Sequence, residues 1–231
     1  MQEFSKQSAT YDETNIIQKQ VATHLLSKIT CKPKRILDLG CGTGNINKEI
    51  NWKYDKFIGV DSAQGMCEKH PKNNLISVVH RNFEDLDFQE EILRDAPFDL
   101  VISSSALQWA GNIEELIKFS SKLSKNIAFA IFTRNTFADI YRLSGLKTFL
   151  PNVNELAMIT KKYFDIEYEV KKYRLDFEDN LSKFRYIKKS GVSGGRQKLT
   201  VSQTKKLIKN YPHDYLEFEV IFIYNKKYFT F

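Results

Sequence analysis

The segment ILDLGCGTGNI at residues 36–46 constrains the fold most, because a short apolar run ends in three glycines within five positions. A strand that leads into a glycine-rich turn and then a helix usually holds a phosphate or another anion. A P-loop would need GxxxxGK[ST], but Gly44 is followed by Asn45 and Ile46. The dinucleotide pattern GxGxxG would need glycine where Asn45 stands. The GxGxG spacing therefore disfavours both a nucleotide hydrolase and a dinucleotide dehydrogenase.

Apolar, β-branched runs alternate with helical patterns along the chain, which is typical of βαβ units around a parallel sheet. The periodicity predicts helices over 13–29 and over 112–124, the latter with Asn112 as N-cap. Strands are predicted at 35–40, 56–61, 75–80, 99–104, 127–133, 164–177 and 215–229.

These elements predict an α/β fold with a Rossmann-like, doubly wound, seven-stranded sheet, mostly parallel with an antiparallel last strand. We expect a helical lid at residues 1–34, a cofactor-binding half at 35–134 and a C-terminal half at 135–231. The C-terminal half would begin with an insertion after the fifth strand that covers the acceptor. All three parts are expected to form a single domain, because 231 residues with 42% hydrophobic content can bury one core.

The composition excludes several function classes. The chain has neither an apolar run of 18 residues nor a charged-then-apolar leader, so we expect an unexported, cytoplasmic protein. Cys31, Cys41 and Cys67 form no CxxC pair and the four histidines are scattered. We therefore expect neither a disulfide framework nor a metal site.

The net charge of +7 is concentrated in residues 180–210, which contain nine Lys or Arg and no acidic residue. Elsewhere 26 basic residues face 28 acidic ones. This distribution indicates an acidic partner for that stretch, with a solvated lysine-rich surface as the alternative.

An acidic residue, Asp38, precedes the glycines, and a carboxylate there is a poor neighbour for a pyrophosphate. It suits a ligand that carries an ammonium group and a single carboxylate. LDLGCGTGN resembles the motif of the class I S-adenosylmethionine-dependent methyltransferases. The resemblance implies that Gly40, Gly42 and Gly44 let the backbone approach the methionyl portion, and that Asp38 orients its amino group.

Further cofactor contacts are expected after the next strands. Asp61 ends the second strand and can accept hydrogen bonds from both ribose hydroxyls, although capping the following helix is an equal alternative. After the third strand, Asn82 and Phe83 stand where the family commonly has an acidic and a small residue to flank adenine. Asn82 can still bond the exocyclic amine through its carbonyl oxygen. Ser103, near the end of the fourth strand, completes the predicted cofactor-binding set.

The segment SSSALQW at 103–109 follows the fourth strand, where the acceptor would meet the sulfonium. It lacks the [DN]PP[YFW] motif of amino-methylating nucleic-acid enzymes, and it holds no base. An acceptor such as a carboxylate, already nucleophilic at neutral pH, needs none. Gln108 and Trp109 are the predicted pocket residues, and Trp109 and Phe83 would wall a dry site or simply pack.

Three further segments carry a more specific resemblance. FSKQSATYDETNIIQKQVATHLL (4–26), ALQWAGNIEELIKFSSKLSK (106–125) and TFLPNVNEL (148–156) resemble the malonyl-acyl-carrier-protein O-methyltransferases of biotin synthesis. The resemblance implies methyl transfer to the free malonyl carboxylate, with the small, acidic acyl carrier protein as partner of the basic stretch.

The malonyl carboxylate would need a positioning group, preferably the planar fork of an arginine. Arg134, Arg185 and Arg142 are the candidates, each with a surface role as its alternative. Tyr11, in the N-terminal segment, would contact the acceptor or the cofactor, or pack as part of the lid. Carrier docking is assigned to three further basic residues, Lys188, Lys189 and Arg196.

Three other functions stay open on the sequence. These are an RNA or tRNA methyltransferase, a small-acid methyltransferase of the trans-aconitate type, and a non-catalytic protein that binds the nucleoside. A monomer is expected, because nothing indicates an obligate apolar interface.

Overall fold

A computed structural model describes residues 15–190 and 199–226 of the chain. Its centre is a seven-stranded sheet with the order β3-β2-β1-β4-β5-β7-β6. The strands are β1 (Arg35–Leu39), β2 (Lys56–Asp61), β3 (Ile76–His80), β4 (Leu100–Ser104), β5 (Ile127–Phe132), β6 (Ile166–Asp176) and β7 (Tyr215–Asn225). β1 to β5 pair in parallel, whereas β7 runs antiparallel to both β5 and β6. The predicted fold class is confirmed.

Helices connect the strands and cover both faces of the sheet. They are α1 (Ile16–Leu26), α2 (Asn45–Glu49), α3 (Gln64–Lys69), α4 (Leu86–Leu93), α5 (Ile113–Leu123), α6 (Ala138–Ser144), α7 (Val153–Lys161), α8 (Asn180–Ser190) and α9 (Val201–Asn210). A short 3₁₀ turn at Leu107–Trp109 follows β4. The insertion predicted after the fifth strand consists of α6 and α7. No helix within the described ranges combines the length and the apolar character that crossing a membrane requires.

The sheet is buried on both faces, as β5 illustrates. All six of its residues are buried, and alternate side chains point to opposite faces. Phe129 packs in the cluster formed with α4, α5 and α7. Phe132 packs in the other cluster, with Ile17 and Val21 of α1 and Tyr186 of α8. A strand that is buried on both faces has apolar residues at every position, so β5 could be predicted from the sequence.

Local capping signals account for two of the helix starts. The Asn112 side chain accepts a hydrogen bond from the Glu115 amide (3.2 Å), so the predicted N-cap of α5 is confirmed. At α9, Thr200 and Gln203 form a reciprocal capping box. The helix predicted over 13–29 occupies Ile16–Leu26 in the structure.

The strand order places the functional edge of the sheet. β1 lies between β2 and β4, so the connections from β1 and from β4 leave toward opposite sides. In open α/β sheets, ligands bind at the carboxyl ends of the strands beside such a switch point. The glycine segment begins where β1 ends, and is therefore located at this edge.

Candidate functional site

The glycine loop after β1 has a backbone that only glycine accepts easily. Gly40 has φ +77°, and its amide donates to the carbonyl of Val60 in β2 (2.8 Å). A Cβ at Gly40 would come within 2.2 Å of the Ala106 Cβ, so the loop packs directly against the turn after β4. Gly42 has φ +54° and open space where its side chain would lie, which leaves its backbone accessible.

Asp61, at the end of β2, ties this loop to the next one. One carboxylate oxygen accepts from the Gly42 amide (2.9 Å) and the other accepts from the Ala63 amide (2.8 Å). Burial raises the pKa of Asp61, and these two hydrogen bonds oppose the rise. Ala63 is the N-cap of α3, so Asp61 braces the start of that helix; its predicted ribose contact stays a prediction.

Asp38 is the most unusual charged group of the site. It is 1% exposed, and no described residue donates a hydrogen bond to either of its carboxylate oxygens. Burial raises the pKa of Asp38 well above its ordinary value, and the nearby Asp61 charge adds to the rise. A buried carboxylate without a donor is costly, so the site is built for a cationic donor that arrives from outside the described chain.

Asp38 opens into a small cleft of about 30 Å³ at the end of β1. The cleft is lined by Gln18, Asp38, Gly40, Cys41, Gly42, Thr43, Asn45, Ile46 and Ser104. The structure places Ser104 here rather than Ser103, whose buried hydroxyl donates to the Leu39 carbonyl (2.6 Å). Sequence reasoning missed Gln18, although a glutamine on the apolar face of α1, beside Ile17 and Val21, was a detectable signal.

The segment predicted to flank adenine is tied to the loop after β4. The side-chain oxygen of Asn82 accepts from the Glu84 amide (3.1 Å), and Phe83 lies 3.7 Å from where a Gly40 Cβ would be. The Glu84 carboxylate accepts from the amides of Gly111 and Asn112 at 2.9 to 3.1 Å. Glu84 was missed by sequence reasoning, because nothing in RNFEDL indicates a partner 27 residues away.

The turn after β4 is held in an uncommon conformation. Ser105 has φ +62°, a left-handed backbone that a serine rarely adopts and that often marks a functional loop. Its amide donates to Ala130 (2.8 Å), and its carbonyl accepts from the Gln108 side chain (2.7 Å). The Gln108 amide oxygen is buried with no donor among the described residues. Trp109 stacks on Phe149 of the insertion with ring centroids 5.1 Å apart.

The three arginine candidates are all exposed, and the described residues lining the cleft include none of them. The Arg134 amide donates to the Pro151 carbonyl (2.9 Å), which holds its backbone in place. Arg142 pairs with Asp139 on its own helix (2.7 Å).

A buried carboxylate supports the loop that carries Arg134. Glu219 of β7 is 5% exposed and accepts from the Thr133 hydroxyl (2.5 Å) and the Asn135 amide group (2.9 and 3.1 Å). Its backbone amide donates to the Thr136 hydroxyl (3.0 Å). Sequence reasoning missed this residue, for which a charge inside the apolar run YLEFEVIF was the signal.

The basic stretch forms α8 and α9, which are joined by the Asn180 side chain donating to the Ile208 carbonyl (2.7 Å). Arg185 and Lys188 of α8 are exposed. Lys183 is 1% exposed and donates to the His213 carbonyl, so this cation of the basic stretch does not face a partner. Tyr11, Arg196 and the side chain of Lys189 lie outside the described residues.

The family model of a methyltransferase domain matches residues 36–126, which contain the glycine loop, Asp61 and the turn after β4. This chain contains a methyltransferase domain. Its fold agrees, because it is similar to the solved structure of a methyltransferase from Bacillus halodurans (TM-score 0.64, 12% identity, 89% of this chain and 97% of that one). The plantazolicin methyltransferase BpumL, solved with S-adenosylhomocysteine, gives a TM-score of 0.53 at 17% identity over 96% and 90% of the chains.

Several curated relatives of the methyltransferase share one name. The malonyl-[acyl-carrier protein] O-methyltransferase of Acetivibrio thermocellus is 28% identical over 90% of this chain and 83% of that protein. Its namesake from Geobacter sulfurreducens is 31% identical over 59% of this chain and 54% of that protein. The similarity therefore extends beyond the glycine loop.

S-adenosylmethionine is the cofactor of the methyltransferase, and the cleft fits one end of it. Asp38 is the residue that tests this fit, because its buried carboxylate has no hydrogen-bond donor among the described residues. The α-ammonium group of the cofactor carries a positive charge and three N–H donors, which is what that carboxylate requires. The open space beside Gly42 leaves room for the adjoining carboxylate. The cofactor supplies a methyl group on a positively charged sulfur; orientation is left to the protein.

Proposed function

We propose that this methyltransferase transfers the methyl group of S-adenosylmethionine to the free carboxylate of malonyl-acyl-carrier protein. In the reaction a carboxylate oxygen bonds to the methyl carbon, the carbon–sulfur bond breaks and its electron pair stays on sulfur. The products are a methyl ester and S-adenosylhomocysteine. The names of the relatives from A. thermocellus and G. sulfurreducens support this acceptor.

The observation that carries the acceptor class is the loop after β4. Residues 103–110, SSSALQWA, contain no acidic or basic side chain to remove a proton. A carboxylate has already lost its proton at neutral pH, so its methylation needs positioning and exclusion of water rather than a base. The loop supplies both, since Ser105 is locked by two hydrogen bonds and Trp109 stacks on Phe149.

Arg134 and Arg185 are the proposed positioning groups for the malonyl carboxylate, with Arg142 as a further pocket residue. Arg134 is favoured, because Glu219 and the Pro151 carbonyl immobilise the loop from which its side chain extends. Arg142 already has a carboxylate partner in Asp139. Tyr11 is kept as a proposed contact to the acceptor or cofactor.

The carrier protein is proposed to dock on α8 and α9. Five described lysines and arginines are exposed there: Arg185, Lys188, Lys205, Lys206 and Lys209. Lys189 and Arg196 belong to the same proposed surface. An acidic carrier would be attracted by this charge, so the encounter rate should fall as salt screens it.

The test is methyl transfer from labelled S-adenosylmethionine to malonyl-acyl-carrier protein, beside malonyl-coenzyme A, trans-aconitate and bulk tRNA, at low and high salt. A base-labile ester on the carrier, formed more slowly at high salt, is the expected result. Label only on RNA or on a free acid would overturn the carrier proposal. Binding of the cofactor without transfer to any acceptor would favour a sensor of the nucleoside.

Arg134→Ala and Arg185→Ala separate the acceptor from the cofactor. Each proposed positioning residue should lose turnover on removal while affinity for S-adenosylhomocysteine is preserved. Arg134→Lys is the matched control, because lysine keeps the charge but not the planar fork. Unchanged turnover in both alanine variants would remove these arginines from the site.

A further inference from the structure

The N-terminal helix α1 lies directly on the glycine loop. The Asn15 side chain, just before α1, donates to the side-chain oxygen of Asn45, the first residue of α2 (3.4 Å). Ile17 and Val21 bury the same helix against the sheet. Gln18 lies between them in sequence, is 5% exposed and lines the cleft that holds Asp38. This helix therefore contributes a polar side chain to the cofactor site.

Several polar atoms of the cleft have no hydrogen-bond partner among the described residues. The Gln18 amide oxygen, both Asp38 oxygens and the Ser104 hydroxyl oxygen are buried without a hydrogen-bond partner in the structure as described. The amide oxygen of Asn15, beside the cleft, is in the same state. The described lining includes no lysine, arginine or histidine. Several unpaired buried acceptors in one place demand a common explanation, since each is unfavourable on its own.

We propose that Gln18 is a cofactor-binding residue that completes the ammonium site with Asp38. An ammonium group has three donors, and the two Asp38 oxygens with the Gln18 oxygen provide three acceptors. Asp38 provides the charge and Gln18 the neutral dipole, so the site is selective for an amino-acid end with a free α-ammonium. Cofactor binding thereby fastens α1 to the glycine loop. The proposal rests on the proposed function only in taking S-adenosylmethionine as the ligand.

The experiment measures binding rather than turnover, by calorimetry with two ligands. S-adenosylhomocysteine carries the amino-acid end, whereas 5′-methylthioadenosine lacks it. Gln18→Leu keeps the approximate size of the side chain and removes its amide group. It should lower the affinity for S-adenosylhomocysteine by about ten- to a hundredfold and leave the affinity for 5′-methylthioadenosine unchanged. Gln20→Leu, an exposed position on the same helix, is the matched control and should bind both ligands like wild type.

Gln18→Glu distinguishes the two ends of the amide. A carboxylate keeps the acceptor oxygens, so affinity for S-adenosylhomocysteine should stay within about threefold of wild type if Gln18 accepts from the ammonium. A loss as large as that of the leucine variant would overturn the assignment, because it would mean that the amide group donates to the ligand carboxylate. Thermal unfolding of each variant confirms that the protein tested is folded.

Hydrogen exchange of α1 gives a second readout. Exchange over Ile16–Leu26 should slow on S-adenosylhomocysteine binding in wild type, and slow less in Gln18→Leu at equal saturation. If Gln18→Leu lowers the affinity for both ligands equally, or for neither, the proposed role of Gln18 is overturned. Failure of wild type to bind S-adenosylhomocysteine would instead overturn the cofactor on which the proposed function depends.

Discussion

The Asp38→Asn variant should stabilise the apoprotein and weaken its cofactor binding. The Asp38 carboxylate is 1% exposed and has no hydrogen-bond donor among the described residues, so its desolvation is uncompensated until a cation binds. Removing that charge should raise the free energy of unfolding at pH 8 by about 1–3 kcal/mol. The same change should weaken S-adenosylhomocysteine binding by about ten- to a hundredfold, because the ammonium loses a charge-assisted partner.

The stability gain should depend on pH. The pKa of folded Asp38 is raised above its ordinary value of 3.8, so the folded state holds its proton more tightly than the unfolded state does. The stabilisation from proton binding is complete below pH 3.8 and is lost as pH rises through the folded pKa. The difference between variant and wild type should therefore be small in acid and grow toward pH 8.

Urea unfolding at several pH values, without cofactor, measures this difference. Asp61→Asn is the matched control. Both carboxylate oxygens of Asp61 accept from backbone amides, those of Gly42 and Ala63, so this substitution should destabilise the protein. A destabilised Asp38→Asn variant, or a gain that does not change with pH, would refute the reasoning. Unchanged affinity for S-adenosylhomocysteine would remove Asp38 from the ammonium site.

Further predictions concern packing and docking. Gly40→Ala should lower the free energy of unfolding by about 2 kcal/mol or more, because the new Cβ would clash with Ala106. Gly145→Ala, where the new Cβ has open space, should lower it by about 1 kcal/mol; thermal unfolding of both variants measures the difference. Glu84→Gln should weaken S-adenosylhomocysteine binding several-fold in calorimetry, because a neutral amide binds the loop amides of 111 and 112 less strongly. Lys183→Met should lower the melting temperature by removing the buried ammonium donor. Lys206→Ala, at an exposed position of α9, should keep the melting temperature and raise KM for the carrier at low salt.

Much of the fold follows from periodicity. Strands such as β5 are apolar at every position, and the Asn112 N-cap marks a helix start, so both were predictable within a few residues. The glycine spacing and Asp38 indicated the ligand class, because those residues are contiguous and their chemistry is local. The basic stretch was also visible, but not that Lys183 turns inward toward the loop at His213.

The sequence by itself determined the α/β architecture, the glycine loop and the absence of a base after the fourth strand. Only the tertiary structure decided which distant polar groups meet. Gln18 and Asp38, about 20 residues apart in the chain, line one cleft. Glu84 accepts from the amide of Gly111, and Glu219 accepts from the Thr133 hydroxyl, 86 residues away in the chain. These contacts depend on which helix faces and strand ends the packing brings together, and no local pattern encodes that.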